Sequence, residues 1–175
     1  MSTGPRYRVH FRRRREGKTD YRVRLRLLKS DLPRAVVRLS GQRVRVAIVA
    51  FDPVGDRVLA SAESTELSGI AFPRASSAST PAAYLTAYLA GLRAKAGGAE
   101  SAVLDTGLRH PTSGGRLSAA LKGLLDAGIE IPHGEGGFPG SERLSGTHLP
   151  KPLPEPIEAY KLKLPNLVAP ARGAS

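Results

Sequence analysis

The fold is decided by residues 35–51, which read AVVRLSGQRVRVAIVAF. Valine and other apolar residues dominate both halves of this stretch, and Gly41-Gln42 stands between the halves. Valine-rich runs favour β-strands, and a short pair containing glycine between two such runs favours a tight hairpin. The stretch therefore predicts two strands, Ala35–Leu39 and Arg43–Phe51, that pair in an antiparallel hairpin.

The residues that follow predict the remaining elements of the core. Asp52–Asp56 contains proline and glycine, so it predicts a turn into a third strand. Thr80-Pro81 predicts the start of a helix, because Thr80 can cap it and proline suits the first helical position. Residues 63–79 are rich in Ser, Ala and Gly and predict a polar loop. In chain order we predict the third strand Arg57–Ala62, a helix from 81 to about 96 with Leu85, Leu89 and Leu92 inward and Gly97-Gly98 as its stop, a short strand Ala102–Asp105, and a helix Arg116–Ala127 ended by Gly128.

This order of elements predicts an α/β fold. The third strand, the long helix and the short strand form a β-α-β unit, whose crossover sets residues 57–62 and 102–105 parallel. Together with the hairpin they predict a mixed sheet of four or five strands with helices packed on it. We assign residues 33–132 to this core domain.

The segment before the core predicts a basic arm followed by a helix, over residues 1–32. Residues 1–18 carry few apolar side chains, which predicts disorder until a partner binds. Thr19 or Asp20 can cap a helix over residues 20–29, although the alternation within 22–27 is also compatible with a strand. In the helical interpretation the stripe facing the core is Tyr21, Leu25 and Leu28, and the stripe facing outward is Arg22, Arg26 and Lys29, with Arg24 between them.

The segment after the core, residues 133–175, is rich in glycine and proline. Proline cannot donate a backbone hydrogen bond and disfavours regular structure. We therefore predict an extended tail from Pro150 onward, where the prolines are Pro150, Pro152, Pro154, Pro156, Pro165 and Pro170.

The charge of the chain is concentrated at one end. The 27 Lys and Arg residues exceed the 15 Asp and Glu residues by 12, and residues 1–45 alone carry this whole excess. A one-ended excess of positive charge indicates a polyanionic partner, whereas a solvated tail or an address signal is the weaker alternative. The arginine run 12–15 lies among Tyr7, Phe11 and Tyr21, and aromatic rings beside guanidinium groups suit unpaired RNA bases as well as phosphates.

Several classes of protein are excluded by composition. The chain contains no cysteine, which excludes disulfide frameworks, thiol catalysis and cysteine-ligated zinc. The longest apolar run, residues 46–51, is far shorter than the roughly 20 residues that span a bilayer. We expect a soluble, basic, intracellular protein with neither a signal peptide nor a membrane partner.

Four acidic residues on or beside predicted strands raise the possibility of a metal-dependent nuclease: Asp52, Asp56, Glu63 and Asp105. Two-metal chemistry needs several carboxylates close together. Asp52 and Asp56 instead flank a Pro/Gly turn, where aspartate commonly bonds to the local backbone. His10, His110, His133 and His148 show no metal-ligand spacing. We therefore favour structural roles for these residues and expect no metal or cofactor.

The segment Thr112–Arg116 precedes a predicted helix and contains two glycines. Its exposed backbone N–H groups and the positive end of the helix dipole could hold a phosphate. A simple helix cap with a flexible loop fits the same residues equally well.

Several stretches together resemble one known family. They are RRRREGKTDY at 12–21, TPAAYLT at 80–86, AVLDTGL at 102–108, AALKGLLDAG at 119–128 and IEIPH at 129–133. In this order they resemble the archaeal and eukaryotic-type large-subunit ribosomal protein L-eighteen family, the universal family of 5S rRNA-binding proteins, over residues 6–149. The chain departs from the family pattern at Gly41, where asparagine is usual, and in the loop 72–77.

The resemblance implies a structural ribosomal protein of the central protuberance, not an enzyme. It implies 5S rRNA and large-subunit rRNA as partners, together with neighbouring ribosomal proteins, and no small-molecule substrate. It also implies a ribonuclease-H-like core without catalysis and a location in cytoplasmic ribosomes. A nuclease on such a sheet and a free 5S RNA chaperone are the alternatives.

The predicted RNA-binding residues combine the basic arm, the first helix and the glycine segment with the hairpin residues that the resemblance implies. In the arm they are Tyr7, Arg8, Phe11, Arg12, Arg13, Arg14, Arg15, Lys18 and Thr19; in the helix Tyr21, Arg22, Arg24, Arg26 and Lys29; in the hairpin Arg38, Ser40 and Arg43; and before the last helix Ser113, Gly114, Gly115 and Arg116.

Overall fold

A four-stranded sheet forms the centre of the computed structural model, which describes residues 4–134 and 136–168. The strands are β1 (Arg34–Leu39), β2 (Val44–Ala50), β3 (Arg57–Glu63) and β4 (Val103–Asp105), in the spatial order β3-β2-β1-β4. β1 pairs antiparallel with β2 and parallel with β4, and β2 pairs antiparallel with β3. The predicted hairpin and the mixed α/β sheet are confirmed. β3 and β4 point the same way, as predicted, but β1 and β2 lie between them.

Successive side chains of each strand point to opposite faces, so the alternation of apolar and charged residues gives the sheet an apolar inner face and a charged outer face. The inner face consists of buried Ala35, Val37, Val44, Val46, Ile48, Ala60 and Ala62. On the outer face, one row runs across three strands, because Arg45 is opposite both Arg38 and Glu63. The register thus places two arginines side by side, with a carboxylate next to one of them.

Helix α3 (Thr80–Ala96) packs on the inner face and contacts α4 (Arg116–Asp126). Ser79, rather than the predicted Thr80, caps α3, since its hydroxyl accepts the Ala82 N–H at 3.3 Å. The two helices approach so closely at Gly123 that a Cβ there would clash with the Tyr84 carbonyl oxygen. The Tyr84 hydroxyl also donates to the Asp126 carboxylate of α4 at 2.6 Å.

The segment between β3 and α3 differs from the predicted polar loop. It forms two 3-10 helices, Ser64–Ile70 and Arg74–Ser76. Leu67, Ile70 and Phe72 are buried in the core. Three well-separated apolar side chains are enough to hold a segment against the core, even where small polar residues dominate its composition.

Helix α2 (Tyr21–Leu28) confirms the helical interpretation of residues 20–29, and the Asp20 carboxylate caps it by accepting the N–H groups of Arg22 and Val23. The prediction that its apolar stripe packs on the core is wrong. Leu25 is 59% exposed, and no residue of α2 is buried. α2 lies beside charged residues of the outer face, where Arg24 contacts Asp56, and its Tyr21, Leu27 and Leu28 are only half-buried.

The basic arm contains α1 (Arg12–Arg15), a single helical turn. No residue of α1 is buried, and the expectation that residues 1–18 are disordered until a partner binds stays a prediction. Phe11 packs against Tyr21 with ring centroids 5.3 Å apart, and this contact holds the arm beside α2.

The region after α4 corrects the prediction of an extended tail. It contains α5 (Ser141–Ser145), α6 (Ile157–Lys163) and a 3-10 turn, Leu164–Leu167. Tyr160 and Leu164 are fully buried, and Tyr160 packs edge-on against Phe72. The prolines flank α6 rather than interrupt it. Pro170 and the end of the predicted tail lie outside the described residues, as do residues 1–3.

The division at residues 32/33 and 132/133 stays a prediction. Among the described residues, no helix combines the length and apolar character that crossing a bilayer requires.

Candidate nucleic-acid interface

The arginines of α1 project from a single turn of helix, so consecutive side chains point in different directions. All four are exposed, as are Arg8 and Lys18. Arg12 and Lys18 both contact Glu16, at 3.5 and 2.9 Å, whereas Arg13 donates from Nε to the Thr19 hydroxyl at 2.9 Å. Thr19 therefore orients an arginine, and most of the cationic groups in the arm stay accessible to a ligand.

The aromatic residues of the arm are accessible as well. Phe11 is 73% exposed even though one side of its ring contacts Tyr21, and Tyr7 is exposed too. Exposed rings beside arginines provide faces on which unpaired bases can stack.

The outward stripe of α2 is where the sequence predicted it. Arg22, Arg26 and Lys29 are exposed. Arg24, which was also predicted to bind RNA, instead turns toward the sheet, where its Nη2 lies 2.9 Å from Oδ2 of Asp56. Arg24 thus contributes to the attachment of α2.

Arg38 lies on the outer face of β1 and is partly exposed. Its Nη1 donates to the carbonyl oxygen of Asp105 at 2.8 Å, and its Nη2 donates to Oδ1 of the same residue at 3.0 Å. Burial alone would raise the pKa of Asp105, but the charge and hydrogen bonds of Arg38, the Gly107 N–H and Arg34 outweigh it and lower that pKa.

At the end of the hairpin, Ser40 stabilises the turn, whereas Arg43 remains accessible to a ligand. The Ser40 hydroxyl accepts the Arg43 N–H at 2.8 Å and donates to the Arg43 carbonyl, so it closes the turn. Arg43 and Arg45 both contact Glu63, at 3.1 and 2.8 Å, and both remain exposed. The hydrogen bond from Arg45 has the largest effect on Glu63 and lowers its pKa, and the hydrogen bond from Arg43 lowers that pKa further.

The segment before α4 forms a helix cap in which much of the hydrogen-bonding capacity is already used. Gly115 is the N-cap residue, and the N–H groups of Gly114 and Gly115 donate to the carbonyls of Gly137 and Thr112. Arg116 donates to the carbonyls of Ser40 and Ala78, which ties α4 to the hairpin. Ser113 is exposed. Of the two interpretations of this segment, the geometry favours the cap.

The arm, α2 and the sheet meet at one cleft. Its basic residues are Arg13 and Lys18 from the arm, Arg24 from α2, and Arg34 and Arg38 from β1, and its acidic residues are Asp20 and Asp105. The Asp20 carboxylate accepts two backbone N–H groups, which lower its pKa, and Asp105 contacts two arginines. Positive charge therefore predominates in the cleft.

Three residues of this surface were missed by sequence reasoning: Arg34, Arg45 and Asp56. The alternation Arg43-Val44-Arg45-Val46 already places Arg45 outward with Arg43, so that signal was available. Arg34 and Asp56 contact each other across 22 positions of sequence, and no local pattern reports such a contact.

The acidic residues and histidines do not form a metal site in the part of the chain that the structure describes. The Asp52 carboxylate accepts the Val54 N–H at 2.9 Å, as expected of a turn. Asp56, Glu63 and Asp105 all contact arginine side chains.

Comparison with known proteins agrees with the resemblance. Residues 5–98 match the family model of "Ribosomal large subunit proteins 60S L5, and 50S L18". Three archaeal relatives carry the name "Large ribosomal subunit protein uL18". The protein of Methanoregula boonei is 50% identical over 85% of this chain and 85% of its own length. That of Methanococcoides burtonii is 47% identical over 94% and 97%, and that of Aeropyrum pernix is 52% identical over 85% and 70%. This chain therefore belongs to the family of large-subunit ribosomal proteins that the 60S L5 and 50S L18 proteins define.

Proposed function

We propose that this chain binds 5S rRNA and helps attach it to the large-subunit rRNA in the central protuberance. The broader role follows from the family: the chain is a structural protein of the large ribosomal subunit, and its place is in the ribosome. This family is a family of ribosomal proteins and not of enzymes.

The observation that carries the proposal is the cationic cleft between the arm, α2 and the sheet. Arg13 and Lys18 of the arm and Arg38 of β1 line the same cleft. Phosphate groups along an RNA backbone are attracted to such a concentration of positive charge, and the displaced counterions favour binding. The exposed rings of Tyr7 and Phe11 add surfaces for stacking on unpaired bases.

The proposed RNA contacts fall into two groups. The exposed cations of the arm, of α2 and of the hairpin end contact phosphates, and they are Arg8, Arg12–Arg15, Lys18, Arg22, Arg26, Lys29, Arg38 and Arg43. Thr19, Tyr21, Arg24, Ser40 and Arg116 support this surface through contacts within the protein.

The test is to purify the tagged chain from lysate and sequence the RNA that accompanies it. Ribosomes are first dissociated, so that RNA bound only through other proteins is lost. We expect 5S rRNA to be the most enriched species relative to its abundance. Enrichment of transfer RNA or of messenger fragments to the same degree would contradict the proposal.

A second measurement addresses attachment. Cells depleted of this protein should accumulate large-subunit particles that lack 5S rRNA, because the proposed link to the large-subunit rRNA is then missing. Particles with a full complement of 5S rRNA would show that another protein is sufficient for attachment.

A further inference from the structure

A row of alternating charges connects α2 with two strands on the outer face of the sheet. Arg24 of α2 contacts Oδ2 of Asp56 at 2.9 Å, and Arg34 of β1 contacts the same oxygen at 2.5 Å. Arg34 also contacts Asp105 of β4 at 2.8 Å, and Asp105 contacts Arg38 at 3.0 Å. Two carboxylates thus hold three guanidinium groups in sequence.

The middle of this row is buried. The side chain of Arg34 is 5% exposed and that of Asp105 is 8% exposed. Nε of Arg34 has no acceptor among residues 4–134 and 136–168, so the two aspartates provide its side-chain hydrogen bonds there. A buried charge that loses its partner is strongly unfavourable, so Arg34 fixes the positions of both carboxylates.

One end of the row fixes the conformation of Arg38. Its side chain is 48% exposed, yet it donates to Oδ1 and to the backbone carbonyl of Asp105. The Gly107 N–H donates to the same Oδ1, and a Cβ on Gly107 would lie 3.1 Å from Cζ of Arg38. The guanidinium group therefore lies flat on the turn after β4 and keeps an exposed part at the cleft.

The other end of the row attaches α2. This helix has no fully buried residue, and only Tyr21, Leu27 and Leu28 among its apolar residues are half-buried, so its apolar packing is limited. The Arg24–Asp56 contact is a polar connection between α2 and the strands, and the shared carboxylate links it directly to Arg34.

We propose that Asp56 and Asp105 are positioning residues for RNA binding, which hold Arg38 and α2 in the arrangement that contacts the RNA. This inference rests on the proposed function, since it concerns how the same surface recognises its ligand. Orienting these groups before binding lowers the entropy lost when they contact the RNA.

Replacing an aspartate by asparagine changes the RNA affinity in opposite directions, depending on whether the aspartate positions a basic group or only repels the RNA by its charge. A carboxylate near a polyanion repels it, so a change to asparagine should tighten RNA binding if charge alone matters. If the aspartate positions Arg38 or α2, the same change weakens binding. The expected loss is about tenfold, the usual value of one charge-assisted contact.

The experiment measures the affinity of the full chain for a 5S rRNA transcript. The variants are Asp105→Asn, Arg38→Ala and the two combined, with Asp52→Asn as the matched control because its carboxylate contacts the Val54 backbone instead of an arginine. We expect Asp105→Asn to weaken binding in the wild-type background and to cause little further loss once Arg38 is alanine. Circular dichroism verifies that each variant is folded at the temperature of the assay.

Tighter or unchanged binding by Asp105→Asn, or equal losses in both backgrounds, would overturn the inference. If Asp105→Asn does not fold, the same measurement is made on the partly exposed Asp56. The variants are then Asp56→Asn, Arg24→Gln and the two combined, and Asp56→Asn should weaken binding only while Arg24 is present. Wild-type protein that does not prefer the 5S transcript over a transfer RNA would instead contradict the proposed function.

Discussion

At the scale of single residues, Asp105 combines burial with contacts to two arginines. It is buried beside two arginines, and their charges and hydrogen bonds hold its pKa below the ordinary value despite the opposing effect of burial. The sequence indicated a structural role for Asp105 and no part in RNA binding. Because of the contacts with Arg34 and Arg38, we expect Asp105→Asn to weaken RNA binding as well.

The lowered pKa of Asp105 predicts how stability depends on pH. A carboxyl group with a lower pKa in the folded state stabilises the fold above its unfolded pKa, near 4, and this contribution is lost as the pH falls through the folded pKa. Asp105→Asn should therefore lower the free energy of unfolding at pH 7 by about 3 kcal/mol, as expected when one partner of a buried ion pair is removed. The difference from wild type should shrink below about pH 4.

Urea unfolding at several pH values between 7 and 3 measures this difference. Asp52→Asn again provides the control, because its carboxylate caps an exposed turn. A difference between Asp105→Asn and wild type that stays constant down to pH 3 would show that the charge of Asp105 does not stabilise the fold.

At the scale of elements, α6 and the turn after it are part of the core. Tyr160 and Leu164 are fully buried, whereas Leu162 on the same segment is 82% exposed. The spacing of Ile157, Tyr160 and Leu164 is that of one helical face, so the sequence contained a signal for this helix. The high frequency of proline concealed it, because the prolines lie before and after α6.

Leu164→Ala and Leu162→Ala form a matched pair that tests this packing. Leu164→Ala should destabilise the protein by about 2–5 kcal/mol, the range for a buried leucine, and Leu162→Ala by less than about 0.5 kcal/mol. Thermal or urea unfolding of both variants measures the effect. Equal and small losses would mean that α6 is not attached to the core in solution.

For helix α2, we expect that replacing an exposed apolar residue barely changes stability, whereas replacing basic residues weakens RNA binding. Because Leu25 is mostly exposed, Leu25→Ala should change the free energy of unfolding by less than about 0.5 kcal/mol, instead of the 2–4 kcal/mol typical of a buried site. Arg22→Ala and Arg26→Ala should weaken 5S rRNA binding, and more so at low salt. A large loss of stability in Leu25→Ala would show that α2 buries this face.

At the scale of the whole molecule, local pattern predicted the hairpin and the order of the strands and helices from β1 to α4, but not the 3-10 helices after β3 or the helices after α4. Valine alternation determines the two faces of the sheet, and the glycines after α3 and α4 mark where those helices end. Such local patterns do not predict which residues meet in the cleft. Arg34 and Asp105 are 71 positions apart, and contacts at that separation depend on the folded sheet. The predicted RNA-binding residues of the arm and the hairpin are exposed, except for the half-buried Thr19, but their contact with RNA stays a prediction.

The basic arm supplies the final prediction, which concerns the salt dependence of binding. Deleting residues 1–18 removes seven cationic side chains, of which Arg12 and Lys18 contact Glu16. If about five of the seven contact phosphates, the slope of log K against log salt for 5S rRNA should flatten by roughly 3–5 units. The buried residues of the described chain begin at Arg34, so the truncated protein should keep its fold.

Binding isotherms between about 50 and 200 mM salt, a range over which several phosphate contacts change affinity strongly, measure both slopes. Lys95→Ala is the control for a cation outside the cleft, since Lys95 is exposed near the end of α3, and its slope should match that of wild type. An unchanged slope in the truncated protein, with its melting temperature preserved, would mean that the arm is not the RNA-binding element. The exposed arginines of α2 and the hairpin would then have to account for the whole salt dependence.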